Sequence, residues 1–121
     1  MSPIRIVIAD DHAIVRATLA QLLSDEEDVE VIGQAADGQE AVEQANRLHP
    51  DVLIMDVTMP RMNGIEATRR ITASCPDVKV IGLSMHTAEA LTREMLSAGA
   101  VGYVSKGTPV RDLLDAIHAV S

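Results

Sequence analysis

Four short apolar runs in this 121-residue chain each lead into a side chain that can do chemistry. Ile4 to Ala9 runs into the carboxylate pair Asp10-Asp11, and Val52 to Met55 runs into Asp56. Lys79 to Leu83 ends on the hydroxyl of Ser84, and Gly102 to Ser105 is followed by the ammonium of Lys106. Charge beside a buried apolar segment is unfavourable unless it is paired or put to use. Clustered carboxylates repel one another, and a bound divalent cation relieves that repulsion. Magnesium suits such a set, because it takes one or two carboxylates and completes its shell with water and phosphate oxygens. A carboxylate can also act as a nucleophile and form an aspartyl phosphate. Phosphoryl transfer asks mainly for positioning and for neutralisation of the equatorial oxygens, which a cation, a lysine and a hydroxyl provide. Asp56 is therefore a candidate phosphate acceptor, provided the fold brings the other residues to it.

The elements that would do so can be read from periodicity. The runs at Ile4–Ala9, Val29–Ala35, Val52–Asp56, Lys79–Ser84 and Gly102–Ser105 are short and rich in β-formers. Most suit strands buried on both faces of a parallel sheet, and the more alternating Val29–Ala35 suits an edge. Helical patterns separate them. Ala13 to Leu23 carries a stripe of Val15, Leu19, Leu22 and Leu23, and Gly38 to Leu48 places Val42, Ala45 and Leu48 inward before His49-Pro50 stops it. Ile65 to Ala73 aligns Ile65, Thr68 and Ile71, and Ala88 to Ala98 aligns Leu91, Met95 and Ala98, with Gly99 as a left-handed cap. The last helix starts near Thr108-Pro109, with Thr108 as N-cap and Pro109 in the first helical position. Its apolar stripe is Val110, Leu113, Leu114, Ile117 and Val120. Strict strand-helix alternation predicts an α/β, doubly wound parallel sheet with five strands and five helices. Ligands in such sheets bind beyond the carboxyl ends of the strands, where strand order reverses. Asp10, Asp11, Asp56, Ser84 and Lys106 all fall on that rim.

Composition narrows the function further. The net charge of −8 and the dispersed Lys and Arg argue against direct binding of nucleic acid or an anionic membrane. With one cysteine, Cys75, no internal disulfide can form. The amino terminus lacks a signal-peptide pattern, and no apolar run approaches the roughly 20 residues of a membrane span. The chain reads as a single cytoplasmic domain, residues 1–121, excised from a longer protein.

With these residues in place the chain resembles the receiver domains of two-component response regulators, over essentially its whole length. The motifs are Asp10-Asp11, Asp56-Val57-Thr58-Met59-Pro60, Ser84, Lys106, and Gly64 eight residues after Asp56. The resemblance implies a flavodoxin-like sheet of order 2-1-3-4-5. It implies that Asp56 accepts a phosphoryl group from a phosphohistidine on a sensor histidine kinase or phosphotransfer protein. Asp11 would bind Mg²⁺ directly, Asp10 would assist partly through water, and Thr58 would contribute its backbone carbonyl. Ser84 and Lys106 would contact phosphoryl oxygens. Tyr103 would turn inward as Ser84 moves, and the face made by the fourth helix, fifth strand and fifth helix would carry the signal. Such a domain catalyses only its own phosphorylation and dephosphorylation, and can form a homodimer on phosphorylation. Gly107 stands where many receivers have proline, so no cis peptide is inferred there, and Met85-His86 occupy positions that tune phosphoryl lifetime. The wording Val7 to His12 resembles receivers of the NarL/LuxR type attached to DNA-binding domains. The same subtype also ends hybrid histidine kinases, which is the alternative reading.

Plainer readings exist for each residue. Asp10-Asp11 could only cap a helix, Lys106 could be a solvated strand-end lysine, and Tyr103 a half-buried strand tyrosine. His12 is placed near the rim without ligating anything, and His49 and His118 at the surface. A remote rival is a haloacid-dehalogenase-like phosphatase. That chemistry needs a second Asp two residues after the nucleophile, where this chain has Thr58. A nucleotide-binding module would need a glycine-rich cradle after the first strand, where this chain has Asp10-Asp11-His12.

Overall fold

The computed structural model describes residues 3–57, 59, 62–84, 89–107 and 109–121. Thr58, Met85, His86, the expected helix start at Ala88 and the expected cap Thr108 lie outside the described residues. Five strands alternate with five helices: β1 (Ile4–Ala9), α1 (Ala13–Ser24), β2 (Val29–Ala35), α2 (Gly38–Leu48), β3 (Val52–Asp56), α3 (Gly64–Ser74), β4 (Lys79–Ser84), α4 (Glu89–Ala98), β5 (Gly102–Ser105) and α5 (Val110–Val120). All strand pairs are parallel, in the order β2-β1-β3-β4-β5. From β1 the chain steps outward to β2 and then returns to β3 on the other side. The strand order therefore reverses between β1 and β3, next to Asp10 and Asp56.

The alternation of side chains along each strand divides the core into two layers. Val7, Leu53, Met55 and Val80 face one side and pack with Ala41 and Ala45 of α2, Ala67 and Ile71 of α3, and Met95 of α4. Ile6, Ile8, Ile54 and Ile81 face the other and pack with Ala20 and Leu23 of α1 and Leu113 and Ile117 of α5. β3 is buried along its full length because it lies mid-sheet with a layer on each face. A chain with one aromatic builds this interior from aliphatic residues and methionine. Cys75 is buried and reduced, with its Sγ 3.3 Å from Asn46 Oδ1.

Local chemistry sets the helix ends. Asp37 caps α2 by accepting from Glu40 N at 2.9 Å, and the Glu40 carboxylate accepts from Ala36 N, one residue before the cap, at 3.3 Å, an arrangement close to a capping box. Asn63 caps α3 through Glu66 N at 2.9 Å. His49 ends α2 in the left-handed region at φ 47°, and Gly99 follows α4 at φ +119°.

Two sequence expectations need correction. Leu22 was assigned to the inner stripe of α1 but is 43% exposed. At about 100° per residue, the buried pair Ala20 and Leu23 centres the inner face on Arg16, not on Val15. Arg16 is partly buried because its guanidinium donates to the backbone oxygen of Asp10 at 2.6 Å. Pro109 was expected in the first helical turn, yet α5 begins at Val110 and Pro109 is extended at ψ 148°. Its carbonyl accepts from Asp112 N at 3.0 Å, so it acts as the residue before the helix.

Candidate phosphoacceptor site

The site forms where the carboxyl ends of β1, β3, β4 and β5 meet. Asp56 is the last residue of β3 and is buried, although its neighbours are apolar. Its main chain is held from two directions. Val57 N donates to Leu83 O of β4 at 3.1 Å, and Gly64 N donates to Val57 O at 2.8 Å, which brings the first turn of α3 against the strand end. Gly64 permits that approach, since a Cβ there would collide with the Asp56 carbonyl oxygen and lie 2.9 Å from Val57 Cα.

Asp10 follows β1 directly and is fully buried. Its backbone N donates to Ala35 O of β2 at 3.0 Å, and its Oδ1 accepts from His12 N at 2.8 Å. Asp10 does not cap α1, whose N-cap His12 has no side-chain cap bond; one of its carboxylate oxygens instead orders the turn before the helix. The other is left facing the site.

Lys106 reaches in from the end of β5. Its own N donates to Ser84 O at 2.8 Å, which extends the β4-β5 ladder by one bond and sets the direction of its side chain. Nζ lies 2.8 Å from Asp10 Oδ2 and 3.2 Å from Asp56 Oδ2, and the side chain is 6% exposed. Burial alone would lower the Lys106 pKa, but Asp10 and Asp56 together outweigh burial and raise it above its ordinary value. Lys106 is therefore no solvated strand-end lysine, because it bridges two buried carboxylates.

Ser84 is the last residue of β4 and is buried, opposite Ser105 in the β4-β5 register. Tyr103 is half-buried two register steps earlier, against Gly82. A Cβ on Gly82 would come within 2.8 Å of the Tyr103 ring and 3.0 Å of Met95 Cε, so glycine leaves the space the ring occupies.

Asp11 is exposed at the mouth of the site. Single donor atoms from Asp10, Asp11, His12 and Asp56 all lie within 4.8 Å of one another. Asp10 Oδ2 is the oxygen paired with Lys106 Nζ at 2.8 Å, on the side of the carboxylate that faces the cluster. A hard, oxygen-rich donor set with two buried carboxylates and a third at its mouth fits a magnesium ion. The sequence reading left His12 as a bystander. The structure puts its Nδ1 3.1 Å from Asp10 Oδ1 and 3.2 Å from Asp11 Oδ1. The signal for this was present in the contiguous Asp10-Asp11-His12, but a residue at a helix start can face solvent or site, and sequence does not say which. His118 lies at the surface as expected, where its Nε2 meets Asp28 Oδ2 at 2.5 Å and ties α5 to the loop before β2.

A five-stranded parallel sheet of order 2-1-3-4-5 with an Asp, Asp, Ser and Lys rim defines a class: the chain belongs to the response regulator receiver domain family, which matches residues 6–118. It is 39% identical over 117 residues to the response regulator GacA of Pseudomonas viridiflava, covering 97% of this chain and 55% of that protein. It is 40% identical to the response regulator UvrY of Escherichia coli, covering 97% of this chain and 54% of that protein. Among solved structures it is similar to a two-component response regulator of the LuxR family from Aurantimonas, with TM-score 0.93, 36% identity, and coverage of 98% of this chain and 85% of that one. The chain spans about half the length of the curated relatives it matches. It is a receiver domain of two-component signalling, of the NarL/LuxR type, which removes the dehalogenase-like phosphatase reading. No described helix is long and apolar enough to cross a membrane.

Proposed function

We propose that this domain is a phosphorylation-activated switch in which Asp56 is the acceptor. The observation that carries the reading is the Lys106 ammonium held between the buried Asp10 and Asp56 carboxylates. A buried carboxylate paired with a fixed cation at a strand end is positioned to attack phosphorus while the incoming charge is met by Lys106. An Asp56 carboxylate oxygen bonds to the phosphorus of a phosphohistidine on a sensor kinase or phosphotransfer protein. The phosphorus–nitrogen bond breaks, and the departing imidazole keeps the electron pair and takes up a proton. Lys106 then pairs with a phosphoryl oxygen, and the Ser84 hydroxyl donates to another. Asp10, Asp11, Asp56 and the Thr58 carbonyl are the residues assigned to hold Mg²⁺. Bound there, the ion supplies positive charge against the phosphoryl oxygens.

Movement of Ser84 toward the phosphoryl group frees space beside Tyr103, whose inward turn alters the α4-β5-α5 face. The packing of Tyr103 over Gly82, next to Met95 of α4, supports that route. The domain turns over no external substrate beyond its own phosphorylation and dephosphorylation. Residues 1–121 act as the receiver of a longer cytoplasmic protein, and the doubled length of GacA and UvrY favours an attached DNA-binding segment that controls transcription. Phosphorylation favours a homodimer.

Tyr103 is the only aromatic residue, so tyrosine fluorescence reads the switch without interference. Beryllofluoride is expected to change that fluorescence only with Mg²⁺ present and not at all in Asp56→Asn. A response without Mg²⁺, one retained in Asp56→Asn, or sustained turnover of phosphate esters would overturn the proposal.

A further inference from the structure

An arginine stands on the inner face of α1, where packing alone calls for an apolar side chain. Arg16 is partly buried, one turn before the buried Ala20. Taking a guanidinium away from water is unfavourable unless its donors are used. Nη1 donates to the backbone oxygen of Asp10 at 2.6 Å, and Nε donates to Gln34 Oε1 of β2 at 3.3 Å. The Asp10 main chain is thereby gripped from both sides, because its N already donates to Ala35 O of β2 at 3.0 Å. A peptide unit is planar, so holding the Asp10 carbonyl also fixes the plane that carries the Asp11 N–H. Asp10 sends its carboxylate into the buried cluster, and Asp11 places its own at the mouth. Arg16 acts on the main chain of Asp10, and among the described residues no carboxylate pairs with it.

We infer that Arg16 is a positioning residue for phosphoryl transfer: it holds the Asp10 carbonyl so that the Asp10 and Asp11 carboxylates converge on the cation, and Gln34 steadies the guanidinium. This role rests on the reading of Asp10 and Asp11 as Mg²⁺ ligands. The sign of the effect on Mg²⁺ separates it from two plainer roles. A guanidinium acting only through its charge repels a cation, so its removal would tighten Mg²⁺ binding. One that only satisfied a carbonyl and filled space would change stability and leave the affinity of the folded protein alone. One that aims the ligands weakens Mg²⁺ binding when removed, as groups that orient metal ligands do, by about 10- to 100-fold. Lysine keeps the charge but lacks the planar fork that joins Asp10 to Gln34. Because Arg16 works through Asp10 and Asp11 and not through Asp56, it sets how much Mg²⁺ the site needs, not how fast the loaded site reacts.

Mg²⁺ is titrated calorimetrically into metal-free wild type, Arg16→Met, Arg16→Lys and Gln34→Ala, with a urea midpoint for each to establish that the protein titrated is folded. Phosphorylation by acetyl phosphate is followed across the same Mg²⁺ range. The expected result is about a tenfold or greater loss of Mg²⁺ affinity in Arg16→Met, about a threefold loss in Gln34→Ala, and an intermediate loss in Arg16→Lys. The Mg²⁺ concentration for half-maximal phosphorylation rises in step, while the rate at saturating Mg²⁺ stays within about threefold of wild type. If Arg16→Met does not fold, Arg16→Lys and Gln34→Ala are held to the same losses. Unchanged or tighter Mg²⁺ binding in the folded Arg16 variants overturns the proposal, as does a saturated rate that falls while Mg²⁺ affinity holds. Failure of wild type to bind Mg²⁺ instead overturns the reading of the rim as a cation site.

Discussion

Replacing Lys106 by methionine removes the cation that sits between Asp10 and Asp56 and keeps most of the side-chain volume. At an effective dielectric near 20, charges 2.8 and 3.2 Å apart attract by about 5–6 kcal/mol each before desolvation. Burying the three charged groups takes back several kcal/mol per ion. The net loss on removing one partner of a buried pair is about 3–5 kcal/mol, because the partners stay buried and uncompensated. Lys106→Met is therefore expected to lose about 3 kcal/mol at pH 7.5 without divalent ions, seen as a fall of about 1 M or more in the urea midpoint. Most of this should return when Asp56 is also changed to Asn, since a single carboxylate then remains beside the vacated position. Added Mg²⁺ should recover part of it in the single variant. The pH dependence has a definite sign. The folded pKa of Lys106 is raised above 10.5, so its contribution is complete below pH 10.5 and is lost as pH climbs through the higher folded value. Wild type should thus lose its advantage over Lys106→Met only above that pH. An unchanged midpoint at pH 7.5, or equal losses in the wild-type and Asp56→Asn backgrounds, would refute the reasoning.

Gly64→Ala should lower stability by about 1–3 kcal/mol, because the added Cβ meets the Asp56 carbonyl and lies 2.9 Å from Val57 Cα. Thermal unfolding measures this, and phosphorylation should weaken with it as the acceptor's main chain shifts. Gly82→Ala should displace the Tyr103 ring, which a new Cβ would approach to 2.8 Å, and so change the fluorescence of unphosphorylated protein. An unaltered spectrum would mean that the ring does not lie over Gly82. His118→Gln should cost less than about 1 kcal/mol in urea unfolding, since the His118 and Asp28 side chains are 44% and 57% exposed.

The sheet and most of the site were legible because the chain marks its strand ends with charge. Residues 6–9 of β1 and Val52–Asp56 of β3 are buried, so those stretches lack polar interruption until the rim begins. The meeting of Asp10, Asp56 and Lys106 at the strands' carboxyl ends then follows from a doubly wound sheet, and the strand order from the family resemblance. The inner face of α1 was harder to read. Arg16 occupies its centre by bonding to the Asp10 backbone, and no apolar pattern signals a buried arginine stem. The start of α5 was misjudged by one residue, because proline fits both the first turn and the position before it. The His12 contacts with Asp10 and Asp11 are local, but its approach to Lys106 and the pairing of His118 with Asp28 join residues 94 and 90 positions apart, and nothing local encodes those.

The central claim is that Asp56 carries the phosphoryl group. Intact-mass spectrometry after incubation with acetyl phosphate and Mg²⁺ tests it most directly. One added phosphoryl group is expected, labile to hydroxylamine, dependent on Mg²⁺ and absent in Asp56→Asn. An adduct of the same mass and yield in Asp56→Asn, or none in wild type, would contradict it.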